Sequence, residues 1–102
     1  MDYSLYEYRA ALYKAVVEKN GMEHQIMKAV EEMAELTKAL CDHRQRRCYT
    51  VNVAEEIADV RIMLEQLELI LGCGKDVDRE MHHKIARLCI AVDFEGGDSD
   101  DT

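Results

Sequence analysis

No proline interrupts this chain of 102 residues, and its five glycines fall in three places: Gly21, Gly72 with Gly74, and Gly96 with Gly97. A chain so poor in helix breakers, and rich in Ala, Leu, Met, Glu and Lys, is driven toward long helices. Four are expected. The first runs from about Ser4 to Lys19 and stops at Asn20-Gly21, a left-handed C-terminal signal. The second runs from about Met22 to Arg44. The third begins after Thr50 or Asn52, where Asn52 and Glu55 make an approximate capping box, and ends near Leu71, before Gly72-Cys73-Gly74. The fourth spans Lys75 to about Val92. The length allows one small helical domain, residues 1–92, followed by an acidic tail, residues 93–102, that is too polar to pack and is expected to be disordered. The fold class that follows is all-α, a four-helix bundle.

The charge balance narrows the function. Thirteen basic residues stand against 21 acidic ones, a net of −8, and five of the acids lie in the last ten residues. A binder of nucleic-acid polymers needs a basic face that this balance does not supply. Four cysteines do not make a dense disulfide framework. No apolar run approaches the roughly 18 residues of a membrane span, and the N-terminus lacks the layout of a signal peptide. The expectation is a soluble, cytoplasmic protein with no membrane partner.

Apolar periodicity says which faces seek cover. Helix two carries a stripe at Ile26, Val30, Met33, Thr37 and Leu40, the spacing of a core-facing helix. Helix three differs. Between Ile57 and Leu71 its apolar residues cover most of the circumference, so it is expected to be buried on several sides. One small bundle supplies too little cover for that, which points to a homodimer or homotetramer with helix three near the shared core.

Two carboxylate groups lie within this pattern. Helix two reads Glu31-Glu32-Met33-Ala34-Glu35, and helix three reads Glu56-Ile57-Ala58-Asp59, with Glu55 just before. Glu32 with Glu35, and Glu56 with Asp59, are spaced i, i+3, so each pair shares a helix face. In antiparallel helices joined by a short loop, residues of equal index sum face each other. A turn centred near Gln45-Arg46 sets Glu35 opposite Glu56 and Glu32 opposite Asp59. Four converging carboxylates repel, and they raise one another's pKa unless a cation intervenes. Oxygen-only ligands suit a hard divalent ion, Mg²⁺ or Mn²⁺. The competing reading is an ordinary solvated acidic face.

The arrangement Glu31-Glu32-x-x-Glu35, twenty residues, then Glu56-x-x-Asp59 resembles the signature of MazG-type nucleotide pyrophosphohydrolases, of the all-α NTP pyrophosphatase superfamily. The resemblance covers roughly Tyr13 to Val92, and is closest over Glu55 to Leu67. It implies Glu32, Glu35, Glu56 and Asp59 as metal ligands, with Glu31 as a catalytic residue in a supporting or water-orienting role. It also implies basic residues on the last helix that hold phosphates; Lys84 and Arg87 fit that place, more loosely than the carboxylates fit theirs. The implied reaction is Mg²⁺-dependent cleavage of the α–β phosphate bond of an NTP or dNTP, giving a monophosphate and pyrophosphate.

Two other readings stay open: a non-catalytic helical assembly module that keeps the fold, and a di-iron carboxylate bundle, suggested by Glu80-x-x-His83 but lacking the second such motif. Cys41, His43 and Cys48 lack a convincing fourth zinc ligand. The cluster His43-Arg44-Gln45-Arg46-Arg47 is expected to complement the end of helix two and stay solvated, about 15 Å from Glu35 along the helix. Tyr3, Tyr6, Tyr8 and Tyr13 are expected in core or interface packing.

Overall fold

The structure is a computed structural model that describes residues 3–95, with side chains described from residue 7 onward. The described residues form four α-helices and no strand: α1 (Tyr3–Asn20), α2 (Met22–Arg44), α3 (Thr50–Leu71) and α4 (Gly74–Ala91). The all-α expectation therefore holds. Most of the tail, residues 96–102, and the side chains of Tyr3 and Tyr6 lie outside the described residues.

The glycine breaks work as their chemistry suggests. Gly21 alone separates α1 from α2, with φ at 94°, a value that costs glycine little because it has no Cβ. Gly72 ends α3 in the left-handed conformation, its N–H turned back to the carbonyl of Leu69. The start of α3 differs from expectation. Tyr49 is the N-cap, and Asn52 is the third helical residue, its Oδ1 accepting the Tyr49 N–H at 2.9 Å. The side chain that reaches back therefore comes from inside the first turn, and Glu55 is not needed for it.

Helices α1–α3 belong to one compact unit, Met1–Gly72, and α4 belongs to a second, Cys73–Thr102. In the first unit α2 and α3 run antiparallel. Gln25 Nε2 donates to Gln66 Oε1 at 2.8 Å near one end, and His43 meets Thr50 at 3.1 Å at the other. Tyr13, Ala29, Val53, Val60 and Met63 are buried, together with the two glutamines. Asn20 Nδ2 donates to Gln25 Oε1, so the buried amides are paired, and a shift of register would strand them. Glu65 fastens α1 to α3. Its carboxylate accepts the Tyr13 hydroxyl at 2.6 Å and pairs with Arg9 at 3.2 Å. Burial, and then the bond to Glu65, raise the Tyr13 pKa, so the phenol remains a donor.

One expectation fails within the unit. The stripe on α2 does not face the core: Val30 is 48%, Met33 40% and Leu40 50% exposed. The face with Gln25 and Ala29, about a quarter-turn round from the centre of the stripe, fills the seam against α3, and of the stripe only Ile26 is half-buried. Apolar residues of α3 are uncovered too, Ile57, Ile62, Leu64 and Leu69 among them.

Among its described residues the second unit has one helix, the amphipathic α4, which has no buried residue. Met81, Ile85 and Leu88 repeat at i, i+4, i+7 and are exposed. Among the described residues no helix is long and apolar enough to cross a membrane. All four cysteines are free.

Candidate metal centre

Glu32 continues the inward face of α2, seven residues after Gln25 and three after Ala29. Glu56 and Asp59 lie on the α3 face that also carries Val60 and Met63. Helical geometry thus delivers three carboxylates to the α2–α3 seam from two helices. One oxygen of Glu32, one of Glu56 and one of Asp59 all lie within 4.8 Å of one another. Among the described residues this is the one such group of three or more His, Cys, Asp or Glu side chains.

The surroundings are unfavourable to bare negative charge. Oε1 of Glu56 is shut off from solvent and has no hydrogen-bond partner. Burial is the first cause of a raised pKa at Glu56, followed by the charges of Asp59, Glu32, Glu35 and Glu55. A carboxylate oxygen without solvent or donor, next to like charges, is stable when it holds a proton or faces a cation. Three oxygen donors with no sulfur or nitrogen suit a hard dication such as Mg²⁺ or Mn²⁺. The residues present therefore fit such an ion.

The remaining carboxylates divide by position. Glu35 is exposed and outside the close group, but near enough for its charge to act on Glu56. Glu31 points outward: its side chain is 67% exposed, against 17% for Glu32. Lys28, which the motif alone did not single out, lies 3.4 Å from Glu32 Oε2 and 3.9 Å from Glu31 Oε1. Its signal in the sequence was the i, i+4 spacing to Glu32, a common helix-surface pattern that points to no site by itself.

In the second unit, Lys84 and Arg87 are exposed on α4 at i, i+3, beside the apolar stripe, and Glu80, His82 and His83 are exposed as well. The zinc combination does not assemble among the described residues: His43 bonds Thr50, and the Cys48 thiol donates to the carbonyl of Ala39. Tyr13 is buried as expected of a packing tyrosine, whereas Tyr8 is 64% exposed. No family model, curated protein or solved structure matches this chain.

Proposed function

We propose that this chain is a Mg²⁺-dependent nucleoside triphosphate pyrophosphohydrolase of MazG type, cleaving an NTP or dNTP to a monophosphate and pyrophosphate. The observation that carries the reading is the meeting of Glu32, Glu56 and Asp59 across two helices, with one Glu56 oxygen buried and unpartnered. The resemblance of the Glu31-Glu32-x-x-Glu35 and Glu56-x-x-Asp59 pattern supplies the reaction class.

Glu32, Glu56 and Asp59 hold the ion, and Glu35 completes the set from the margin of the group. A bound Mg²⁺ supplies charge neutralisation at phosphate oxygens and a more acidic water. Lys28, the cation beside Glu32, balances part of the cluster's charge. Glu31, facing outward, acts by orienting that lysine or a water. Lys84 and Arg87 contact phosphates, Arg through its planar fork and Lys as a point charge. The uncovered apolar residues of α2, α3 and α4 support a homodimer or homotetramer as the working form.

The test is product analysis across a panel of NTPs and dNTPs with Mg²⁺, separating pyrophosphate from orthophosphate. Monophosphate and pyrophosphate from the wild type, lost in Glu56→Gln, are expected. Absence of turnover in protein that still binds Mg²⁺ would favour the non-catalytic module.

A further inference from the structure

We propose that the loop joining α2 to α3 is a second anion site, built for an oligophosphate chain and separate from the carboxylate centre. The loop is an island of positive charge in an acidic chain. Between Asp42 and Glu55 there is no acidic residue, while His43, Arg44, Arg46 and Arg47 follow within five positions. Asp42 is already taken, its carboxylate paired with Lys38 at 3.0 Å. Among the described residues none of the three arginines makes an ion pair, the pairs lying at Arg9, Lys28, Lys38 and Arg79.

The arginines are not needed to cap α2. Its last carbonyls are met by the loop's own backbone: Gln45 N–H bonds Cys41 O, Arg47 N–H bonds Asp42 O, and Arg46 N–H bonds His43 O, at 3.2, 2.7 and 2.9 Å. The guanidinium groups are left for something else. Arg44, Arg46 and Arg47 are among the residues that line an open hollow of about 650 Å³, together with His43, Cys48, Tyr49 and Thr50. The first residues of α3 form part of that wall, so the positive end of a long helix adds to the field of the arginines.

The backbone bonds that close α2 set Arg46 at φ 62°, the left-handed residue that follows the helix end, as Asp93 is after α4.

Three arginines within four positions, lining one hollow, match a ligand with several phosphate oxygens in a row better than a single carboxylate, because each fork can take its own pair of oxygens. Thr50 lies about 9 Å of helix rise from Glu56, and Arg44 about 18 Å from Glu32. The loop and the carboxylates therefore act on separate groups within the unit.

The test is calorimetric titration of the full chain with sodium tripolyphosphate in EDTA, where metal-free carboxylates repel the ligand. Binding is expected, weakening with added salt as an ionic contact should. Arg46→Glu with Arg47→Glu should weaken it at least about tenfold, the scale of losing one or more charged hydrogen bonds. Arg46→Gly should weaken binding while leaving thermal stability unchanged or higher, a split that a purely structural arginine would not give. Lys14→Ala with Lys19→Ala, two exposed lysines of α1, should leave the titration unchanged. An equal response to ATP would identify free oligophosphate as the sufficient ligand, and a tighter response would identify a nucleotide, whose base can stack on the exposed Tyr49. Any of three results overturns the proposal: no binding by the wild type, loss of binding in the α1 variant alone, or tighter binding of a single-stranded oligonucleotide at equal phosphate concentration. None depends on turnover, so failure of the hydrolase reading leaves this test intact.

Discussion

The two faces of α2 are made of different residues and meet different surroundings. Toward α3 it turns Gln25, Ala29 and Glu32; on the flank, centred about a quarter-turn round, lie Val30, Met33 and Leu40, which are 40–50% exposed. A helix chosen for stability alone would reverse this, since fully burying a Val, Leu or Met side chain is worth about 1.5–3 kcal/mol. Alongside Ala29, Val53, Val60 and Met63, the seam instead holds a pair of amides and a group of carboxylates. Glu56 Oε1 is left without a partner there. The inward face holds charge in place at some cost to the fold, and the outward face offers burial that only a further surface can supply.

The strongest way to test the contrast is to change one glutamate on each face. Glu32→Gln removes an inward ligand and should lower turnover by more than about a hundredfold, since even residues that merely support a ligand contribute about 10–100-fold. Glu31→Gln, next in sequence but outward, should lose far less. Steady-state kinetics at saturating Mg²⁺ decide it, and equal losses would mean that both side chains reach the ion. The outward stripe is broken by Val30→Glu with Met33→Glu. If association covers that stripe, light scattering should show the mass falling toward that of a single chain, with the carboxylate cluster still able to bind metal. An unchanged mass would place the interface on another face.

Sequence alone was informative where chemistry is local. The helix boundaries followed from Gly21 and Gly72 and from the absence of proline, although only Gly72 is a left-handed stop; Gly21 breaks the helix in an extended, positive-φ conformation. The meeting of Glu32 with Asp59 agrees with the index sums, and Gln25 with Gln66 obeys the same sum, but the expected partner pair is not formed: Glu35 lies outside the close group, and Glu56 joins Glu32 and Asp59 instead. The orientation of α2 was not legible. Periodicity identifies an apolar stripe, but not whether it meets its own chain or another surface, and the stripe at Val30 and Met33 was assigned to the core for that reason. Lys28 and the left-handed Arg46 were equally hidden. One is an ordinary i, i+4 neighbour, and the other depends on a backbone angle that no spacing encodes.

A smaller effect is expected from the paired part of the seam. Gln66→Leu adds apolar bulk but leaves the Gln25 amide N–H without its acceptor, and an unsatisfied buried group costs about 1–3 kcal/mol. Changing Gln25 and Gln66 to leucine together should recover much of that loss, because both buried amides are removed and Asn20 and His24, which lose Gln25 Oε1, are exposed to water. Urea denaturation of the two single variants and the double variant measures the coupling. Purely additive losses would show that the glutamines do not work as a pair.

The smallest expected effect carries the clearest sign. Glu56 binds its proton more tightly in the folded chain than at its ordinary value of 4.5, chiefly because it is buried and then because Asp59, Glu32, Glu35 and Glu55 surround it. In the window between 4.5 and the raised folded value, the native state therefore holds more protons than the unfolded state. The contribution of Glu56 to stability is full below that window and is lost as pH rises through it, the reverse of a carboxylate held by a salt bridge. In EDTA, the urea midpoint should accordingly decline with pH across the window, and Glu56→Gln should flatten the decline. Mg²⁺ competes with the proton for the same oxygens, so it should restore stability most at the alkaline end. A midpoint in EDTA that rises through the window in the wild type, with the rise lost in Glu56→Gln, would mean that a cation of the protein already neutralises Glu56, with Lys28 the first to examine.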